Sequence, residues 1–481
     1  MVLPVREFRR LDLNAEEAGV PVRRLMERAG RALADAALEM AAERPGPLLF
    51  LCGKGNNGGD GFAAASLLLA DGHDAQVVLV EPAANVRDPA AKAWLDRLAS
   101  DCVGRWPAAR PPGPVALVVD CLLGSGLAGP PRAPYDEAIR WVNAQRRRKV
   151  PILACDVPSG LGTKTTVHPE ATVTFHDMKE GMTESNSGRI HVSDIGIPRR
   201  AATHVGLGDL VVGYPAPAPD AHKGQGGVLF VVAGGPYTGA AHYAGMAALR
   251  TGCDLVVLWT PADAARIIAS WGPDLIVHAC NDGGHLTSDG AALVAADLGR
   301  ASTLLVGPGL GTHPETREAV GALLDAAAKA DVPVVVDADG LDGVTPEWLR
   351  RQGARTVLTP HAREFTDLGP RSASPDSVRR YAGRHGVTVL RKGAEDVIAT
   401  GDGAWKRCDR GHPTMTVGGT GDLLAGAVAA LLAKGATPFD AACAGAYLVG
   451  CAGENAATLR SYGATASDVL EAIPSVLLRM A

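Results

Sequence analysis

The sequence has no Cys-x-x-Cys pair, few aromatic residues, no run of apolar residues long enough to cross a bilayer and no strong charge of either sign. Its nine cysteines are an odd number, and the nearest two are Cys443 and Cys451. Scattered single cysteines exclude a disulfide framework and a structural zinc site, and they fit a reducing compartment. The longest apolar stretch, 423–433, stops at Lys434 and is too short for a membrane span. The opening MVLPVREFRR lacks the apolar segment of a secretory leader. A soluble, cytoplasmic protein is expected. A net charge of −5 spread over both halves excludes a basic nucleic-acid platform. The one basic run, Arg146-Arg147-Arg148-Lys149, stands where a helix C-terminus would favour positive charge. No fixed repeat is visible, which excludes a solenoid.

Glycine is abundant instead: 58 residues in a chain of 481. This length fits two to four domains. A helical pattern over 11–40 opens the chain. Apolar strands then read at 47–52, 75–80, 115–121, 151–155, 171–175 and 189–192, with helices at 61–70, 89–99 and 135–146 between them. Strands that are apolar throughout and separated by helices predict a parallel sheet covered on both faces. The alternating prolines of Tyr214-Pro215-Ala216-Pro217-Ala218-Pro219-Asp220 predict an extended linker. The α/β rhythm then resumes, with strands at 228–233, 255–259, 303–306, 332–336, 356–358, 387–391 and 397–400 and helices at 240–251, 314–330, 422–433 and 438–459. The expected organisation is an α/β domain over 1–213, a linker over 214–221 and a second α/β domain over 222–481.

In the first half, a strand runs into Gly53-Lys54-Gly55-Asn56-Asn57-Gly58-Gly59-Asp60-Gly61. Residues that tolerate positive φ let several backbone N–H groups point at one spot ahead of a helix, as a phosphate requires. A tight strand-to-helix turn is the plainer reading. No Gly-Lys-Ser/Thr follows, so this is not a Walker A loop. Two other strands end in acids: Asp120, followed by Leu122-Leu123-Gly124-Ser125-Gly126-Leu127-Ala128-Gly129-Pro130, and Asp156 in Asp156-Val157-Pro158-Ser159-Gly160. Each acid alone reads more readily as a loop cap; three such elements at strand ends of one domain reverse that reading. Ligands gather at strand C-terminal ends in such sheets, and the oxygens of Asn57, Asp120 and Ser159 suit an alkali or alkaline-earth cation.

GNNGGDG, DCLLGSGLAG, DVPSG, TVTF with Lys179-Glu180-Gly181, and DIGIP, in this order, closely resemble the NAD(P)H-hydrate epimerase domain over residues 1–213. The resemblance implies a Rossmann-like α/β sandwich that interconverts the R and S epimers of hydrated NADH or NADPH. It places the substrate phosphates at Asn56, Asn57, Gly58, Gly59 and Asp60. It assigns potassium to Asn57, Asp120 and Ser159, and a second substrate loop to Gly124, Ser125, Gly126, Leu127, Ala128, Gly129 and Pro130. Asp156 lies at the nicotinamide as the proton-transfer carboxylate. Lys179 and Thr174 match without a role.

In the second half, Thr416-Val417-Gly418-Gly419-Thr420-Gly421-Asp422 precedes an apolar helix. Three glycines let backbone N–H groups converge at the helix start, and Asp422 stands beside them. Donors that neutralise a phosphoryl group next to a carboxylate that takes a hydroxyl proton make a phosphoryl-transfer site. A plain N-cap explains one polar residue but not the glycines. His222-Lys223-Gly224, Gly239-Ala240-Ala241, Gly307-Pro308-Gly309-Leu310-Gly311, Asp337-Ala338-Asp339, Thr359-Pro360-His361 and Lys392-Gly393-Ala394 complete the set, mostly at strand C-terminal ends. Singly, His361 reads as a helix cap and the aspartates as turn residues.

Together these motifs resemble the ADP-dependent NAD(P)H-hydrate dehydratases of the ribokinase-like superfamily over about 215–475. The resemblance implies a ribokinase-like α/β domain that phosphorylates the hydrate hydroxyl from ADP and eliminates phosphate to restore NAD(P)H. Ala240, Gly309 and His361 then contact the hydrate. Lys392, Gly393, Ala394, Glu395, Asp396 and Gly421 contact the nucleotide, magnesium is its counter-ion and Asp422 is the base. Assembly into homo-oligomers is also implied. The chain departs from the usual pattern at His412, Thr414, Asp342 and Asp274. Two other readings stand beside this one. A small-molecule kinase with an appended nucleotide-binding module would leave a stable phosphorylated product, and a non-catalytic scaffold would turn nothing over.

Overall fold

The computed structural model describes residues 2–480 apart from 43, 110–113, 128, 219 and 221. Two compact units divide it, Met1–Arg199 and Arg200–Ala481. The division falls ahead of the expected boundary at 213 because residues 200–213 are built into the second unit. Val205 N donates to Arg407 O at 2.7 Å. The helix Leu207–Gly213 packs on the helix Pro438–Arg460, and its buried Asp209 pairs with Lys406 Nζ at 2.7 Å. Of the expected linker, Pro219 and Ala221 lie outside the described residues.

The first unit is built on a seven-stranded parallel sheet. Its order is Val103–Arg105, Ala75–Leu79, Leu48–Cys52, Leu117–Cys121, Ile152–Cys155, Ala171–Phe175, Arg189–Ser193. Central strands such as LLFLC are buried at every position, as a sheet covered on both faces requires. The sheet starts at the inner strand Leu48–Cys52, grows outward to one edge, then returns to Leu117–Cys121 on the other side. The crevice at that reversal is where ligands bind in open parallel sheets, and Gly53, Asn57, Asp120 and Leu122 all flank it. The single helical pattern over 11–40 is two helices, Val5–Glu17 and Val22–Ala41. Gly19 at φ 88° and Pro21 at the second helix's N-cap break the pattern. The basic run closes the helix Tyr135–Gln145 in a short 3-10 turn.

The second unit holds a nine-stranded sheet. Its order is Ile276–Ala279, Leu255–Thr260, Val228–Val232, Thr303–Val306, Val334–Val336, Thr356–Leu358, Thr388–Arg391, Asp396–Ala399, Trp405–Cys408, with the last two strands antiparallel. The same reversal occurs between Val228–Val232 and Thr303–Val306. The apolar run 423–433 is the body of a buried helix, Thr420–Ala433. It packs against the helix Thr238–Arg250 so tightly that a side chain at Gly426 would meet Ala244 O.

Candidate functional sites

A cavity of about 700 Å³ opens at the crevice of the first unit. Asn56, Asn57 and Asp60 line it, as do Gly124, Ser125, Gly126, Leu127 and Asp156. Gly58 and Gly59 sit behind the wall, Gly129 and Pro130 do not reach it, and Ala128 lies outside the described residues. The expectation that this glycine stretch takes positive φ fails. The helix begins at Asn56, and none of Gly53, Gly55, Gly58, Gly59 and Gly61 has positive φ. Most of these glycines allow close approach instead. A Cβ at Gly53 would strike Leu122 O, one at Gly58 would strike Gly53 O, and one at Gly61 would lie 2.7 Å from Cys52 Sγ and Cys121 Sγ. The N–H groups of Asn56, Asn57 and Gly58 precede the first intrahelical bond, Gly59 N to Gly55 O at 3.0 Å, and are left without helical acceptors, which suits a phosphate.

Beneath the cavity, Asp120 is fully buried. It accepts hydrogen bonds from Ser159 Oγ at 2.6 Å, Ser159 N at 2.8 Å and Leu122 N at 3.2 Å, all neutral donors. Burial pushes its carboxyl up to about 6 in spite of those bonds. The side-chain oxygen and nitrogen of Asn57 are also buried, and neither has a hydrogen-bond partner among the described residues. A buried carboxyl met only by neutral donors and an orphaned amide oxygen are the donor set that an alkali cation would complete.

Asp156 is held in the left-handed region at φ 62°, where an L-residue is uncommon and Asp is among the few tolerated. Its carboxylate accepts from Phe175 N at 3.3 Å and forms an ion pair with Lys179. Lys179 is only 3% exposed, donates to Phe175 O at 2.8 Å and Thr174 Oγ1 at 3.1 Å, and lies 4.2 Å from the Phe8 ring centre. This gives Lys179 and Thr174 the positioning role that their sequence match does not supply. At the cavity rim, Glu81 accepts from Tyr135 at 2.8 Å and pairs with Lys54 at 3.1 Å. Burial works upward on Glu81, but bonds from Tyr135, Asn85 and Lys54 hold it below its usual range.

In the second unit, the crevice brings Ala240 and Gly309 together. Gly309 takes φ 68°, and a Cβ there would lie 2.5 Å from Tyr237 O and 2.9 Å from Ala240 Cβ. Further along the edge, Lys392 Nζ pairs with Asp337 at 2.6 Å. Asp337 is buried and also accepts from Thr359 Oγ1 at 2.8 Å. Asp337 belongs to the DAD motif that the sequence places at this site without a role; the ion pair with Lys392 is what the structure adds. A bridge pairs His361 with Lys392, and His361 caps the helix Ala362–Asp367 through a reciprocal box with Glu364. His361 is therefore both the expected cap and a group at this edge, with its side chain about half exposed.

Gly419 caps the helix Thr420–Ala433 at φ 101° and lies against Tyr243, one turn beyond Ala240. A Cβ at Gly421 would lie 3.5 Å from Lys392 Nζ, so the ammonium faces the helix start. Asp422 stands in that first turn, half-buried and not turned out into solvent. Burial pushes its carboxyl up to about 7, with Asp337, Asp339 and Glu364 adding to the rise and Lys392 opposing it. Of the remaining nucleotide candidates, Gly393 N donates to Asp396, Glu395 pairs with Arg407 at 3.0 Å, and Gly393 and Ala394 are exposed. At His412, one of the departures from the family pattern, Nδ1 accepts from Thr414 N at 3.3 Å and closes the turn ahead of the glycines. His285, His313 and Glu315 also converge within 4.8 Å. The two imidazoles stack at 3.8 Å and 29°, so one ion cannot lie in both ring planes.

Comparison with known proteins matches residues 229–475 to the NAD(P)H-hydrate dehydratase family and residues 22–181 to the YjeF-related protein N-terminus. The bifunctional NAD(P)H-hydrate repair enzyme Nnr of Hyperthermus butylicus is 38% identical over 493 residues, spanning 97% of this chain and 90% of its own. That of Methanospirillum hungatei is 37% identical over 496 residues, spanning 99% and 94%. Among solved structures, a ribokinase-like superfamily protein from Enterococcus faecalis aligns with a TM-score of 0.51 and 21% identity over 58% of this chain and 96% of its own, a likeness of fold.

Proposed function

The chain belongs to the family of bifunctional NAD(P)H-hydrate repair enzymes, and from that premise we propose that its first unit epimerises the hydrate at Asp156 while its second dehydrates the S epimer at Asp422, with ADP as phosphoryl donor. The observation that carries this reading is a half-buried carboxyl near 7 at a glycine-rich helix start, beside a lysine. A base poised near neutrality is suited to taking a hydroxyl proton.

In the dehydratase unit, Asp422 takes the proton of the hydrate hydroxyl. The hydroxyl oxygen attacks the terminal phosphorus of ADP, and AMP leaves. Lys392 and the N–H groups around Gly419 and Gly421 stabilise the charge on the transferring phosphoryl. The C–O bond then breaks with phosphate as leaving group, the ring nitrogen supplying electrons, and loss of a proton from the neighbouring carbon restores the reduced nicotinamide. Magnesium would serve as the nucleotide's counter-ion, offsetting phosphate charge. Ala240, Gly309 and His361 bound the hydrate, and Lys392–Asp396 with Gly421 bound the nucleotide.

In the epimerase unit, Asn56, Asn57, the N–H group of Gly58 and residues 124–127 hold the substrate, while Asp156 moves the proton; the Gly59 N–H is taken by Gly55 O at 3.0 Å. Asp60, half-buried on the cavity lining, is pushed well above its usual range by burial and by Asp156, so it would meet a phosphate as a protonated donor. Asn57, Asp120 and Ser159 would hold potassium, whose charge offsets that of Asp120 and fixes the two loops at the cavity floor.

The test supplies mixed hydrate epimers with ADP and magnesium and follows reduced-nicotinamide absorbance. Full recovery faster than spontaneous epimerisation is expected. Recovery of only the S share leaves the first unit inactive. A stable phosphorylated product with no phosphate release would make the second unit a kinase.

A further inference from the structure

The first seventeen residues lie outside the family match, which starts at residue 22, yet they form a wall of the epimerase cavity. Val2–Leu3 pairs in parallel with Met178–Lys179, and Glu180 N donates to Leu3 O at 3.1 Å. This tether lays the helix Val5–Glu17 along the cavity, where Val5, Phe8, Arg9 and Asp12 share one face and line it. Spacings of three and four residues put these four side chains on one side of a helix. Phe8 covers Lys179, the residue paired with Asp156.

Asp12 is half-buried in that wall, and its carboxyl makes no hydrogen bond or ion pair among the described residues. The charged groups around it are Asp156 and Lys179 from the sheet edge, Asp60 from the helix Asn56–Ala70 and Arg9 and Glu16 from its own helix, with His176 elsewhere on the lining. Three carboxyl groups thus lie around the buried ammonium of Lys179. Burial first, then Asp156, pushes Asp12 up to about 6.

We infer that Asp12 is a second acid–base group of the epimerisation, acting from the covering helix while Asp156 acts from the strand end. Asp12, protonated, gives its proton to the hydroxyl on the hydrated carbon. The C–O bond breaks, its electron pair leaves with water, and the ring nitrogen's lone pair stabilises the cation. Water adds to the other face through its own lone pair and gives a proton to Asp156. Solvent returns that proton to Asp12, and the reverse epimerisation runs with the two roles exchanged. An acid and a base on different walls explain how one site serves both epimers.

This inference rests on the epimerase reading, and the two fail differently. A wild-type chain without epimerase activity sinks that reading. The inference itself is tested by Asp12→Asn in the full chain, following epimer interconversion across pH. A fall in kcat of at least about 100-fold is expected, with little change in KM and with loss of the alkaline limb that a carboxyl near 6 imposes. Wild-type kcat overturns the inference. So does a loss confined to KM with the pH profile intact, which would make Asp12 a wall residue only. If Asp12→Asn disturbs folding of the first unit, Asp12→Glu decides: its alkaline limb moves with the new carboxyl if the inference holds and stays in place if it does not.

Discussion

The two glycine-rich turns look alike as strings and differ as structures. Around Gly53–Gly61 the backbone stays in ordinary regions, and glycine is required by what a side chain would hit. Around Gly418–Gly421 the helix cap needs φ 101° at Gly419, while Gly418 faces open space. The acids that follow differ in the same way. Asp60 is half-buried on the cavity lining among other carboxyls, and Asp422 is half-buried beside Lys392. At the close-packed turn the acid is crowded by other carboxyls, and the proposed reacting carboxylate comes from another strand end. A turn left open can use the acid it carries.

The largest effect that tests this contrast is a pair of substitutions. Asp422→Ala is expected to lower dehydration by about 10²–10⁴ or more and leave epimerisation unchanged. Asp156→Ala is expected to do the opposite, each read with a single purified epimer. Loss of both activities from either change would break the separation of the two sites.

Next come the glycines. Gly58→Ala places a Cβ against the Gly53 carbonyl and is expected to cost about 1–3 kcal/mol and unfold the first unit early. Gly418→Ala is expected to stay within about 0.5 kcal/mol. Calorimetry on the full chain separates these outcomes, and equal costs would show that the two turns do not differ in packing.

Smaller is the pH effect at Asp422. Acting as a base near 7, it makes dehydratase kcat/KM fall as pH drops through about 7. Its folded value lies above the unfolded 3.8, so its contribution to stability is present at low pH and is lost as pH rises through about 7. Asp422→Asn should therefore raise Tm at pH 8 by a few degrees and leave it unchanged near pH 3. A lower Tm at pH 8 would mean that the carboxylate is well solvated or well paired.

The smallest expected effect is ionic. Replacing potassium by tetramethylammonium should slow epimerisation about tenfold and spare dehydration, and Asn57→Ala should remove the ion dependence. Equal epimerase rates in both salts would leave Asp120 without its proposed partner.

Much of the fold and of both sites is legible in the amino-acid sequence. Apolar strands such as Leu48–Cys52 and Thr303–Val306 stand out, because a strand buried on both faces has no polar position to spare. Acids and glycines that follow such strands point to the crevice, because the strand C-terminal ends open onto it. The strands Val103–Arg105, Ile276–Ala279 and Trp405–Cys408 escape a sequence reading because they are exposed or short edges, where the pattern is mixed. Asp12 escapes it because its environment is made by distant chain: Asp156 and Lys179 are its neighbours only after folding. The start of the helix at Asn56 escapes it because glycine and asparagine favour turns, and tertiary contact overrides that preference.

The tether of Val2–Leu3 to Met178–Lys179 also sets an order of events during synthesis. The covering helix leaves the ribosome well ahead of residue 179 and is not tethered over the cavity until that residue emerges. The epimerase chamber is therefore closed by segments made far apart in time. A fusion partner joined directly ahead of Val2 would sit at that seam.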